Sequence, residues 1–62
     1  MMLLQIEYQK KDSEITIFER CAIKGIYTKN GVEEGFKVYD EIRNGFRNIS
    51  YSGIISIRAS KI

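Results

Sequence analysis

The chain contains no histidine, no proline and no tryptophan, and it has a single cysteine. Without histidine it lacks the commonest metal ligand and the commonest general base. A zinc site and a Ser-His-Asp or Cys-His arrangement are therefore excluded. One cysteine permits no internal disulfide. No apolar run approaches the ~18 residues of a membrane-spanning helix. The opening MMLLQI is apolar but short, with no charged stretch before it and no small-residue cleavage site after it, so it does not read as a signal peptide. These absences point to a cytoplasmic protein that is not an enzyme and needs neither metal nor cofactor.

What is present describes one globular domain spanning 1–62, with 44% hydrophobic and 29% charged residues. Ordering a chain costs on the order of 1.5 kcal/mol per residue, so a core this small is marginal and a partner or self-association would add stability. The net charge of +2 permits contact with phosphate but lacks the basic excess of a dedicated DNA binder.

The dominant pattern has period two. In EITIFERCAI, residues 14–23, Ile15, Ile17, Cys21 and Ile23 share one face, with Glu14, Thr16 and Arg20 on the other. Glu19 and Phe18 interrupt this pattern, which predicts a strand end, a bulge or cover on both sides. LLQIEYQ alternates Leu4, Ile6 and Tyr8, and Lys11-Asp12-Ser13 follows as a turn. Asn30-Gly31 and Asn44-Gly45 are hairpin signals, because a type I′ turn needs positive φ at both central residues. Two-residue turns there pair Lys29 with Val32, Gly25 with Phe36, Ile23 with Val38, Arg43 with Phe46 and Val38 with Tyr51. Both hairpins then place Ile23, Phe36, Val38, Ile42, Ile49 and Tyr51 on one core face, as a three-stranded meander requires. Ser52-Gly53 breaks the pattern, and a 3₁₀ turn over 51–54 sets the phase of a last strand with Ile55, Ile57 and Ala59 inward.

The expected fold is all-β, with about five strands around a central antiparallel meander. Closure into a small barrel removes the two open edges of a flat sheet. Meander, 3₁₀ turn and short final strand is also the order of SH3-like and Sm-like barrels, an analogy at the level of fold.

The stretch YDEIRNGFRNISYSGIISI, residues 39–57, resembles the signature region of the WYL domain family. Val38-Tyr39 stands where that family has an Ala-Tyr pair, and Arg43 and Arg47 stand where it has paired arginines. Ile6-Glu7-Tyr8 is similar to its opening strand, and Arg20 lies near its first-half arginine. Glu34-Gly35-Phe36 replaces the naming triplet, the proline after the first-half arginine is absent, and Gly53 replaces the arginine before the final isoleucine. The resemblance implies an Sm-like, SH3-type barrel. It also implies a role in bacterial transcription regulation, as a module that senses ligands, among them nucleic acid or nucleotides.

Candidate ligand-binding residues are Tyr39, Arg43, Arg47, Arg20 and Lys37. Guanidinium groups bind phosphate bidentately, and exposed aromatic rings stack on bases. The derived register turns Tyr39 and Arg43 to the outer face beside Phe46. It places Arg47 on the core side as a diagonal neighbour of Asp40, either as a site residue or as that carboxylate's ion-pair partner. Arg20, Lys37, Arg43 and Arg58 would share an outer strip if they converge. Tyr51 and Phe36 read as core, and Tyr27 fits either role. Cys21 reads as a small core residue, and Glu33-Glu34 and Asp40-Glu41 as solubility charges beside turns. The alternative to a binding module is an interaction or oligomerisation module that pairs through open strand edges.

Overall fold

A computed structural model describes residues 2–62; Met1, the first residue of the expected domain, lies outside the described residues. The chain forms β1 (Leu4–Gln9), β2 (Ile15–Lys29), β3 (Val32–Asp40), β4 (Gly45–Ser50), a 3₁₀ turn (Tyr51–Gly53) and β5 (Ile54–Ala59). All neighbouring strands are antiparallel, in one five-stranded sheet of order β4-β3-β2-β1-β5. The fold is all-β, as the alternation predicted, and the 3₁₀ turn falls where the phase break placed it. The sheet does not close: among the described residues no ladder joins β4 to β5, which remain its two edges.

The turns set the register of the meander. Asn30 and Gly31 have φ of 53° and 78°, and Lys29 pairs with Val32, as a type I′ turn demands. Asn44 is also left-handed, at φ 54°, but Gly45 is not, and it opens β4 opposite Asp40. The β3–β4 connection is therefore the loop 41–44, and Val38 faces Arg47 rather than Tyr51. The slip is an even number of residues, so Phe36, Val38 and Ile49 keep the expected side. Ile42 instead falls in the loop, exposed, and Tyr51 in the 3₁₀ turn, where its ring meets Phe36 edge-on at 5.1 Å.

Bulges decide which side chains face inward. One extra residue in β2 between the pairs Ile6–Phe18 and Leu4–Cys21 puts Phe18 and Cys21 on the same side. Phe18 is consequently buried, while Ile15 and Ile17, expected to share the face of Cys21, are exposed. A second bulge, at Lys24, and a third, at Glu34, have opposite sense and cancel. Gly25 therefore meets Lys37 instead of Phe36, although Ile23 still meets Val38. Val38 is fully buried, but Ile23 remains 40% exposed beside the bulge. In β5 the extra residue is Ile55, so Ile54 rather than Ile55 packs on the core.

The resulting core is small: Ile6, Phe18, Cys21, Val38 and Ile49, flanked by Leu4, Tyr8, Phe36 and Ile54. Each fully buried large apolar side chain contributes roughly 1.5–3 kcal/mol. Gly35 lets β3 and β4 approach closely, since a Cβ there would lie 1.7 Å from the Ile49 carbonyl oxygen. The Tyr8 hydroxyl and Ser50 Oγ are 3.0 Å apart, which draws the end of β1 toward the end of β4.

Candidate nucleic-acid interface

The β3–β4 hairpin carries most of the expected site and sorts it onto two faces. Asp40, at the end of β3, is fully buried. Its Oδ1 accepts the backbone N–H groups of Ile42 at 3.0 Å and Arg43 at 3.2 Å. Its Oδ2 accepts Arg43 Nη1 at 2.8 Å. Burial alone would raise the carboxyl pKa. The Arg43 hydrogen bond, the two backbone bonds and the Arg43 charge outweigh it and hold the group below its usual 3.8. Asp40 is thus the fastener of the loop and not a solubility charge. The guanidinium of Arg43 also lies over the Phe18 ring, 5.5 Å from its centroid.

Arg43 therefore stands on the Phe18 side, not beside Tyr39 as the two-residue turn predicted. Arg47 keeps its expected diagonal relation to Asp40, but that carboxylate is already engaged. Arg47 instead donates from Nη1 to the Phe46 carbonyl at 3.0 Å. Arg20 donates from Nε to Glu41 at 2.9 Å and from Nη1 to the Ile62 carbonyl, while the Glu41 N–H bonds the Arg20 carbonyl. Arg58 pairs with Gln5 at the opposite edge of the sheet from the β3–β4 hairpin. The four cations of the expected outer strip do not converge.

What does converge is an aromatic and cationic cluster on the outer face of β3 and β4. Tyr39 opposes Phe46, and Lys37 opposes Asn48. The Tyr39 and Phe46 rings meet edge to face, with centroids 5.1 Å apart at 71°. Lys37 Nζ lies 4.9 Å from the Phe46 centroid, a diagonal cation–π contact. The Tyr39 hydroxyl points to Asn44 Oδ1 at 3.5 Å. Phe46 nonetheless remains 55% exposed on an edge strand. Such an arrangement offers a ring to a base, a flexible ammonium to a phosphate and the Asn48 amide to a base edge.

The sequence names Tyr39 and Lys37 and sets Phe46 beside Tyr39, but it does not show that Asp40 claims Arg43. Three hydrogen bonds to one buried carboxylate depend on the loop conformation, and the only local signal was an aspartate opening a short turn. Among the described residues, no three His, Cys, Asp or Glu side chains are placed to hold a metal ion. No helix among them is long and apolar enough to cross a membrane. The chain is thus an all-β domain with an exposed aromatic–lysine face on its edge hairpin. In comparisons with known proteins, no family model matches it, and no curated protein or solved structure is significantly similar to it.

Proposed function

We propose that this protein is a non-enzymatic, cytoplasmic binding module for single-stranded nucleic acid, of WYL type. Its contact surface is the outer face of the β3–β4 hairpin. One base stacks on Phe46, steadied by Tyr39, and Lys37 neutralises an adjacent phosphate. The observation that carries this reading is a Phe46 ring left half in solvent with a lysine poised over it. A hydrophobic ring on an edge strand is a liability unless something covers it. Support for the family type comes from Ile6-Glu7-Tyr8, Val38-Tyr39, Arg43 and Arg47. The strand order, the 3₁₀ turn between β4 and β5 and the Tyr8–Ser50 contact support a sheet coiled toward an SH3-like or Sm-like barrel. Arg43 and Arg47 then shape the hairpin, and the protein acts in transcription regulation through a partner that reads duplex DNA.

The test is fluorescence anisotropy with a labelled oligonucleotide across a salt series. Stacking contributes ~1–3 kcal/mol per base, so Phe46→Ala should weaken binding roughly 5- to 150-fold. Lys37→Ala should reduce the salt slope by about 0.7, the value for one phosphate contact on a single strand. Binding unchanged in both variants would refute the assignment.

A second reading rests on a different observation. The edge strand β5 exposes Ile55 and Ile57, and β4 exposes Phe46. Edge-to-edge pairing of copies would cover these groups and complete both ladders. That association would be nearly indifferent to salt. A salt-insensitive oligomer that fails to bind any oligonucleotide at low salt favours it over the first reading.

A further inference from the structure

A polar concavity adjoins the aromatic face at Asn48, and its other residues come from separate parts of the chain. Tyr8 and Lys11 come from the end of β1 and the turn after it. Tyr27 and Lys29 come from the end of β2, and Ser50 and Ser52 from the end of β4 and the 3₁₀ turn. Together they line a groove of about 270 Å³. An adjoining hollow shares Tyr8, Lys11, Ser50 and Ser52 and extends it past Ser13 to Gly53.

The chemistry of the lining is specific. The Tyr8 hydroxyl is held by Ser50, sharing a hydrogen bond with its Oγ at 3.0 Å and accepting its N–H at 3.4 Å. Hydroxyl groups are thus presented in a set arrangement instead of rotating in solvent. Lys11 and Lys29 supply two positive charges, and neither lies within ion-pair distance of a carboxylate among the described residues. Lys10, beside them, is already paired with Glu14 at 3.3 Å. Glu34 and Asn48 complete the wall with an acceptor and an amide. Tyr27 adds a half-buried ring. Two ammonium groups with several hydroxyls match a phosphate. An aromatic ring with a carboxylate and an amide matches a nucleoside. The volume, small beside ordinary ligand pockets, is on the scale of one nucleotide.

We infer that this groove is a separate binding site for a nucleoside monophosphate, with Lys11 and Lys29 holding the phosphate and Tyr27 meeting the base. It shares Asn48 with the Phe46 face but uses neither Phe46, Tyr39 nor Lys37, so it stands whether or not those residues bind a strand.

Titration of the whole ¹⁵N-labelled chain with AMP, inorganic phosphate and adenosine, followed by amide shifts, tests the inference. AMP should give saturable shifts at Lys11, Tyr27, Lys29, Ser50 and Ser52, and should bind at least tenfold more tightly than either fragment. The variant Lys11→Gln/Lys29→Gln alters two exposed side chains, so it should fold normally and bind AMP at least tenfold more weakly. Phe46→Ala should leave AMP binding unchanged, which separates this site from the hairpin face. The inference is overturned if AMP shifts no groove amide saturably, if adenosine binds as well as AMP, if the double variant binds AMP like the parent, or if the shifts centre on Lys37, Tyr39 and Phe46.

Discussion

Asp40 offers the sharpest test of how the hairpin is held. In Asp40→Asn the side-chain oxygen can still accept the N–H groups of Ile42 and Arg43, now at 3.0 and 3.2 Å. The new amide NH₂ then faces Arg43 Nη1, a donor against a donor, and the 2.8 Å charged hydrogen bond is lost. A hydrogen bond to a charged group contributes ~1.5–3 kcal/mol. Arg43 is 46% exposed and recovers part of its hydration, which places the loss near 2 kcal/mol. A domain of this size has a total stability of only roughly 3–9 kcal/mol. With a urea dependence of about 1 kcal/mol per molar, the midpoint should fall by about 2 M. Far-UV circular dichroism is the suitable probe, because the chain has no tryptophan. The pH dependence adds an independent check. The folded carboxyl titrates below 3.8 and the unfolded one at 3.8, so between those values the unfolded chain holds the extra proton. The stabilisation is complete above that window and disappears as pH falls through the folded value. Asp40→Asn should lack this acid limb. A midpoint within 0.5 M of the parent (a limit set at about 0.5 kcal/mol), together with an intact acid limb, would show that Asp40 does not fasten the loop.

Two further outcomes follow from burial and close approach. Gly35→Ala forces a methyl group to 1.7 Å from the Ile49 carbonyl oxygen, so β3 and β4 must separate; the expected loss is about 3 kcal/mol or more, and a parental thermal midpoint would contradict it. The Cys21 thiol is inaccessible, and burial followed by the nearby Asp40 charge pushes its pKa up to about 11; iodoacetamide at pH 8 should leave it unmodified in the folded chain and alkylate it in urea, so rapid labelling without urea would refute the buried placement.

The sequence exposed the fold more fully than the site. Period-two alternation in β1, in the first half of β2 and in β5 marked strands because successive side chains point to opposite faces. Asn30-Gly31 fixed its hairpin because both residues must be left-handed. The same dipeptide at 44–45 misled, since Asp40 organises the loop from four residues upstream and only Asn44 needs positive φ. The bulges were illegible in detail. An extra residue leaves local composition unchanged, and it shows only as the clash between Phe18 and its polar phase. That clash exchanged the faces of Phe18 and of Ile15 and Ile17. The lysine–aromatic face was partly visible through Tyr39, Lys37 and Phe46, because cross-strand neighbours can be read from parity. The groove was invisible, as its wall draws on the ends of β1, β2 and β4, which are distant in the chain.

The disposition of the cations bears on why both proposed surfaces rest on lysines. Three of the four arginines are tied into the hairpin region: Arg43 to Asp40, Arg20 to Glu41 and Arg47 to the Phe46 carbonyl. Guanidinium suits that task, since its planar fork satisfies fixed acceptors with little loss of freedom. Removing Arg43 would leave a buried carboxylate without its counter-charge, so a loss of binding in Arg43→Ala would reflect a damaged loop as readily as a lost contact. Lys11, Lys29 and Lys37 have no carboxylate partner within ion-pair distance among the described residues, and each lies beside an aromatic ring or a cluster of hydroxyls. An ammonium on a flexible stem can leave its resting place for a phosphate without disturbing the backbone. Variants at Lys37 and Phe46, or at Lys11 and Lys29, therefore probe recognition with the fold intact, whereas variants at Arg43 and Asp40 probe the fold itself.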